Sequence, residues 1–548
     1  MTRLEDVQTK EEIIHQYYSW LLDTNDIALE KQLDLSLVQN YNDPYIYYPE
    51  CMHDLFHTEK LQRLGRVSQL ASMFSVYPGA YHSRLDHSIG AFSQKQEEHI
   101  YLWLQNPEFI AYIENNNLKK YLLAEEIKML YHDVGHFPFS HVTEQQIIGK
   151  RGIHEEIGQT ILLTDTEICA ATQKLGISQE LQTVLAQDVF NSHEHDEGNI
   201  DVDRKDYLQR DMFHIGGPNF SYYPIYSRKI AKIDPDGSYK KSPDGSVILC
   251  DSLGPHSKFI DVYSYSDLPK VEDFFYARET QYKNKYFHST TLTRDTLLSI
   301  VLCDIAPRNK EYCPDLIEYI NFLKSGDYQS AQKYDDIRIY KSLINLGLNS
   351  QDRDVVDMVS LLFVPFDNWL ESIYEQIDKT KDSDLLKTIY IGLIKGHSRF
   401  AQNIRNRNFF DDNILLVEGE NCSKLKQKGF SNLIYNSHSL SAYNPSCPVF
   451  VEDVNGNTFA LDNHPDRTRD WLDTRTYSQI AICILPLLRL HGLSPFKIAD
   501  YSKECKQMKA DTTIDSSLMP SINMKHLQTG HNIISDFFPN QENSLDDR

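Results

Sequence analysis

Apolar residues recur three and four positions apart along most of the chain, a spacing that predicts amphipathic helices. It is plain in EEIIHQYYSWLLD near the start, in HTEKLQRLGRVSQLASMF and YLLAEEIKMLYHD, and again in VEDFFYARETQYKNKYFHSTTLTRDTLL. The pattern lapses in the polar, turn-rich DLSLVQNYNDPY. It lapses again in DPDGSYKKSPDGSVILCDSLG, where two Asp-Gly steps flank β-prone residues and predict a hairpin excursion between about 230 and 270. A second hairpin is expected at PVFVEDVNGNTFALD, with NGN as its turn. The longest apolar stretch, around Ile480 to Leu490, is short enough for a buried helix, and the last dozen residues, FFPNQENSLDDR, read as a loose tail.

These elements predict a mainly α protein: a helical core with small β-hairpin excursions and a largely helical C-terminal lobe. The expected division is an N-terminal appendage over 1–45, a core over 46–290 and a C-terminal lobe over 291–548 that serves assembly or regulation. No fixed-period repeat is visible, which removes solenoid architectures.

Composition changes the picture in three ways. Hydrophobic residues at 41% and charged residues at 24% match ordinary folded proteins, so wholesale disorder is not expected. A net charge of -23 repels nucleic-acid phosphates and anionic membrane surfaces, so no stable nucleic-acid or membrane partner is expected. A phosphate-bearing ligand then needs a local cluster of cations. The nine cysteines form no CxxC pair, the start is charged rather than leader-like, and no run approaches 18 apolar residues, so a cytoplasmic protein with reduced thiols is expected.

Chemistry concentrates in PGAYHSRLDHSIGAF (78–92), YHDVGHFPFSH (131–141) and NIDVDRKDYLQRD (199–211). His132 and Asp133 are adjacent and supply two ligands; His87 and Asp203 are the natural additions. Two imidazoles and two carboxylates form a mixed N/O set suited to a divalent Fe, Mn, Zn or Mg ion, with positions left for water and a phosphate oxygen. Pro138 breaks the helix between His136 and His141, which lets His141 turn back, and His154 follows in GIHEEIG. Histidines titrate near neutral pH and can protonate a leaving oxygen, or they can simply pack. Arg84 and Arg204 each stand beside candidate metal ligands, where a guanidinium can grip phosphate oxygens.

In that order and wording, PGAYHSRLDHSIG, HDVGHFPFSH and NIDVDRKDYLQRD resemble the signature of the HD-domain deoxynucleoside triphosphate triphosphohydrolases, over roughly residues 50 to 290. The resemblance implies an HD-domain helical core and metal ligands at His87, His132, Asp133 and Asp203, with His82 outside that set. It implies phosphate-side histidines at His141 and His154 with His136 near them, His141 being the proton donor to the departing 5′ oxygen. Arg84 and Arg204 would hold phosphates. Sugar recognition would fall to Gln69, Leu70, Tyr207 and Asp211, and in ARETQYKNKYFH the family's phosphate Arg and base-flanking Tyr fall on Arg278 and Tyr286. A tyrosine under the sugar leaves little room for a 2′ hydroxyl.

The resemblance therefore implies a dNTP as substrate, hydrolysed to deoxynucleoside and inorganic triphosphate, in a homo-oligomer open to regulation by a nucleotide activator. The positions that read a guanine activator in regulated animal members hold His57 and Gly65, so guanine activation at that place is not expected. Two alternatives remain from the residues alone: a deoxynucleoside monophosphate phosphohydrolase, and a nucleotide-sensing HD module that binds without turnover.

Overall fold

A computed structural model describes residues 9–22, 34–38 and 45–183 apart from 76, 78, 151, 180 and 182. It further describes 200–217, 225–231, 259–286, 289–352 and a few positions to 362, then the short stretches 414–418, 434–436, 440–441, 443, 449–468, 475–476 and 479–484. Its longer helices are α1 (Lys10–Leu21), α2 (Arg84–Gln105), α3 (Pro107–Asn115), α4 (Lys119–Tyr131), α5 (Ile153–Thr164) and α6 (Thr166–Lys174). They continue as α7 (Val202–Ile215), α8 (Leu268–Gln281), α9 (Ser289–Ile300), α10 (Pro314–Ser325) and α11 (Asp336–Asn349). The protein is mainly α, as its periodicity predicts, and no described helix is long and apolar enough to cross a membrane.

Local sequence accounts for where the site-bearing helices start. Ser83 caps α2 by accepting from the Asp86 amide while Asp86 reaches back to the cap, a reciprocal capping box. Asp201 caps α7 by accepting from the Arg204 amide, and Asp335 caps α11 by accepting from the Arg338 amide. On α1 the buried residues Ile14, Tyr17, Tyr18 and Leu21 form one stripe. That stripe packs on α2 and α4, and the Tyr17 and Tyr18 hydroxyls both donate to the fully buried Glu126 carboxylate.

One apolar core runs from Ile14 through the Leu122–Tyr131 face of α4 to Leu343, Leu346 and Leu362. Residues on either side of positions 45 and 290 share it. Helices α2 and α4 pack along each other, and α7 lies against α2 on its other side. Gly90 of α2 faces α7 closely: a Cβ there would meet Asp206 Oδ1 at 1.9 Å and an Arg210 nitrogen at 2.1 Å.

The described strands are β1 (Leu35–Val38), β2 (Ile46–Pro49), β3 (Arg228–Ala231), β4 (Phe259–Tyr263), β5 (Ile414–Glu418), β6 (Ile434–Asn436), β7 (Leu440–Ser441), β8 (Phe450–Glu452), β9 (Thr458–Ala460), β10 (Arg475–Thr476) and β11 (Gln479–Ile484), and a four-stranded sheet has the order β3-β4-β8-β9. Strands β3 and β4 pair antiparallel, as expected of the excursion between 230 and 270; the Asp-Gly steps themselves lie outside the described residues. The β8–β9 hairpin turns where the NGN signal predicts. Gly456 takes φ +82°, and the Asp453 carboxylate accepts the amides of Asn455 and Asn457.

One expectation is overturned. The stretch that begins at Ile480 is no helix: Gln479–Ile484 is a strand, β11, lying between β5 (Ile414–Glu418) and β6 (Ile434–Asn436). The β-branched Ile480, Ile482 and Ile484 alternate along it, a period of two that an unbroken apolar run conceals. Among the described residues beyond 362, regular structure is strand apart from the 3₁₀ turn Leu461–Asn463; residues 363–413 and 485–548, including the expected tail, lie outside the described set.

The core also holds an uncompensated acid. Asp295 on α9 accepts from Ser72 Oγ at 2.5 Å, and burial pushes its carboxyl from the ordinary 3.8 up to about 7. The folded chain therefore binds this proton more tightly than the unfolded chain, so Asp295 subtracts stability progressively as pH rises from about 4 to about 7. We expect Asp295→Asn to melt with wild type near pH 4 and above it at about pH 8, checked by thermal unfolding at the two pH values. An equal difference at both would remove the charge as the cause.

Candidate metal centre

The site forms where three chain segments converge. His87 lies in the first turn of α2, His132 closes α4 with Asp133 just past its end, and Asp203 lies in the first turn of α7. His87 and His132 bring their Nε2 atoms to 3.1 Å of each other. Asp203 Oδ1 is 2.9 Å from His87 Nε2 and 3.4 Å from His132 Nε2. The Asp133 carboxylate lies 3.7 Å from His87 Nε2 and 3.6 Å from His132 Nε2.

The other ring nitrogens are already committed. His87 Nδ1 donates to Asp206 Oδ2 at 2.7 Å, and His132 Nδ1 donates to the Met129 carbonyl at 2.8 Å. Each bond fixes a tautomer and aims the Nε2 lone pair at the shared centre, the arrangement typical of metal-ligating histidines. Arg210, one turn beyond Asp206, holds that carboxylate on both oxygens at 2.9 and 2.7 Å. Burial works to lower the His87 pKa, but the hydrogen bonds to Asp203 and Asp206 outweigh it and lift it to about 10. The carboxylates thus draw positive charge strongly into this spot, and the donor set fits a divalent cation of the Fe, Mn, Zn or Mg kind.

A second group adjoins the first through Asp133, whose Oδ1 lies 3.3 Å from His136 Nε2. His136 stacks on His154 with centroids 3.8 Å apart, and His141 meets the pair edge-on. The buried Glu144 anchors both outer rings: it accepts from His154 Nδ1 at 2.6 Å and from His141 Nδ1 at 3.1 Å. Burial would raise the Glu144 carboxyl, but His154 and His141 hold it far below the usual carboxylate range. Burial lowers His136 and, less strongly, His141. The His141 side chain stays half-exposed, the only one of the three histidines open to solvent. Gly135 permits this packing, because a Cβ there would lie 1.9 Å from the His154 carbonyl oxygen.

The expected substrate residues fall around these clusters. Arg84 is buried and already engaged: its guanidinium pairs with Asp133, and its Nε donates to Ser140 Oγ at 2.7 Å. Arg204 lies 3.3 Å from Asp201. Tyr207 faces His87 edge-on at 6.5 Å, within electrostatic reach of Arg204, Arg278 and Tyr282, and the Arg278 guanidinium sits 5.9 Å over the Tyr282 ring. Leu70 and Tyr286 pack on one small apolar cluster with Tyr77. Asp211 accepts from the Tyr286 hydroxyl on one oxygen and faces His82 Nε2 at 2.8 Å on the other. Gln69 Oε1 is buried without a hydrogen-bond partner among the described residues.

Sequence reasoning passed over Asp206, Glu144 and Ser140. Two of them carry a local signal: Asp206 lies three residues after Asp203 and four before Arg210, and Glu144 lies three after His141, spacings that share a helical face. Ser140 has none.

Fold and site together resemble those of HD-domain proteins, in which a histidine and an aspartate stand adjacent as His132 and Asp133 do here. No family profile matches the chain. It is 28% identical over 276 residues to the uncharacterized protein YwfO of Bacillus subtilis, covering 49% of this chain and 56% of that one. It is 23% identical over 316 residues to the deoxynucleoside triphosphate triphosphohydrolase SAMHD1 of Mus musculus, covering 49% of this chain and 44% of that one. The match thus spans about half the length of such relatives. In fold it is similar to a phosphohydrolase of Bacteroides thetaiotaomicron, with TM-score 0.51 and 18% identity over 82% of this chain and 100% of that one.

If the four convergent groups hold a cation, removing them empties the site of metal. We expect His132→Ala and Asp133→Ala to lose bound Mn²⁺ in metal analysis, and Asp206→Asn, which keeps the shape but not the charge, to weaken Mn²⁺ binding by about 10–100-fold. Unchanged affinity in Asp206→Asn would exclude His87 as a ligand oriented by that carboxylate.

Proposed function

We propose that the protein is a metal-dependent phosphohydrolase that splits a deoxynucleoside triphosphate into the deoxynucleoside and inorganic triphosphate. The observation that carries this reading is the pairing of a cation-fitting His87–His132–Asp133–Asp203 centre with a Glu144-anchored histidine cluster one carboxylate away. The similarity to SAMHD1 supports the choice of substrate class. His87, His132, Asp133 and Asp203 would hold the ion, which when bound supplies positive charge and Lewis acidity toward a phosphoryl oxygen.

The protein's own groups do the rest. Arg84, Arg204 and Arg278 line the phosphate side, where guanidinium groups stabilise charge on the phosphoryl oxygens. Water attacks the α-phosphorus, the bond to the 5′ oxygen breaks, and His141 hands that oxygen a proton. Glu144 holds the Nδ1 side of His141, which leaves Nε2 as the donating atom. The protein packed around His141 lowers its pKa even though the ring edge reaches solvent, so its imidazolium is a stronger acid than a free one, which favours transfer to an alkoxide. Tyr207, Tyr286 and Asp211 would form the sugar side, with Leu70 and Gln69 across from them; a close tyrosine ring favours deoxyribose by exclusion.

The test is a product assay on the purified protein with Mn²⁺ or Mg²⁺ and each of the four dNTPs, singly and then mixed. Tripolyphosphate and deoxynucleoside are the expected products, and turnover in the mixture alone would reveal activation by a nucleotide. His141→Ala is expected to lower kcat by about 10²–10⁴-fold with metal content unchanged. Orthophosphate from a deoxynucleoside monophosphate, with triphosphates untouched, would overturn the substrate assignment.

A further inference from the structure

Residues 135–140 form an irregular turn between the His132–Asp133 pair and His141. Within it Phe139 and Ser140 both occupy the left-handed backbone region, at φ 59° and 51°. Neither is glycine, and each such residue costs about 1–3 kcal/mol and persists only where its surroundings hold it.

Much of what holds this turn arrives from residues 328–340, beyond the segment that carries the motifs. Gln332 Nε2 donates to the Gly135 carbonyl at 2.7 Å. Gln332 Oε1 accepts from the buried Arg63, whose guanidinium also donates to the His136 carbonyl. Tyr328 lies against Phe137, and Tyr340 meets Phe139 edge-on with centroids 5.0 Å apart. Asp336, the first residue of α11 and buried, takes the Phe139 amide on Oδ1 at 3.0 Å and the Ser68 amide on Oδ2 at 2.9 Å. Ser68 directly precedes Gln69 and Leu70, and its carbonyl accepts from Ser140 Oγ at 2.9 Å.

We infer that Asp336 is a positioning residue: by accepting both amides, its carboxylate sets the spacing between the Gln69–Leu70 segment and the turn that carries His136 and leads into His141. The role in turnover rests on the phosphohydrolase reading, whereas the contact is a property of the fold. Both groups facing the carboxylate are N–H donors, so an acceptor is required on each oxygen. Asparagine has the same size but would turn an NH₂ against one of them. Burial pushes the Asp336 carboxyl up to about 7 against the pull of the Ser68 and Phe139 amides. Ionisation of Asp336 thus costs stability, whereas its two amide contacts, one to the strained turn and one to Ser68, set geometry.

The test compares wild type, Asp336→Asn and Gln332→Met, with Lys341→Ala on the exposed side of α11 as control. In Asp336→Asn we expect kcat for dNTP hydrolysis to fall about ten- to a hundredfold. The melting temperature should hold or rise, and bound Mn²⁺ should be unchanged. Hydrogen exchange should quicken in peptides covering 66–70 and 135–141 and nowhere else. Gln332→Met should act in the same direction on the 135–141 peptide, and the control on neither. Retained kcat in Asp336→Asn, or a loss that merely tracks a lower melting temperature or metal content with exchange unchanged, overturns the inference. If wild type hydrolyses no dNTP, the substrate assignment fails instead, and exchange at the two segments still decides whether Asp336 ties them together.

Discussion

Everything around the centre answers one constraint: three of the four groups that favour a cation between them have been removed from water. His87, His132 and Asp133 are buried, and a buried unpaired charge costs several kcal/mol. The chain meets that cost with a surrounding layer of partners. Asp206 and Arg210 support His87 from behind, the Met129 carbonyl orients His132, and Arg84 neutralises Asp133, with His136 Nε2 beside it. Arg84 and Met129 lie at helix ends, Asp206 and Arg210 lie further along α7, and His136 lies in the turn that follows α4. The capping of α2 by Ser83 and of α7 by Asp201 therefore does more than start two helices, since it places His87 and Asp203 one turn in.

The same constraint explains which parts of the molecule are legible from sequence. Metal ligands must be of few types, and they must sit in short, ordered segments, so His87, His132, Asp133 and Asp203 stand out against a helical background and are found within a few ångströms of one another. Helix periodicity exposes α1 and α8 because each has one wet and one dry face, whereas α4 is buried almost all round. The NGN turn shows because a hairpin of that kind needs φ above zero at a residue that tolerates it, here Gly456. The β11 strand misleads for the converse reason: a continuous apolar run in the sequence does not by itself tell strand from helix.

Residues that act on other residues leave a fainter trace. Asp206 and Glu144 sit at helical spacing from a ligand and a histidine, a signal visible only once the ligand set is assumed. The hold on residues 135–140 leaves none, since Gln332 and Asp336 stand almost 200 positions from the carbonyl and amide they bind. Backbone groups have no sequence identity, so a side chain that binds them cannot be matched to its target before the fold is known. A core shared from Ile14 to Leu362 shows the same thing at larger scale: periodicity marks which face is dry, but not which distant element dries it.

Arg84 shows how the two clusters become one site. Its guanidinium carries five N–H donors in a fixed fork, of which one is spent on Ser140 and one on Asp133. Contact with a phosphate oxygen therefore does not require the Asp133 pair to break, and the same side chain that neutralises a ligand of the metal centre can also meet the charge of an incoming anion. Ser140 owes its position to its left-handed backbone, and its hydroxyl accepts from Arg84 while donating to the Ser68 carbonyl. Arg84, the turn that leads to His141 and the Gln69–Leu70 segment are thereby tied through one hydroxyl. A small shift of the 135–140 turn would move all three together, so the geometry of this site is better described as a single coupled unit than as a metal centre with separate subsites.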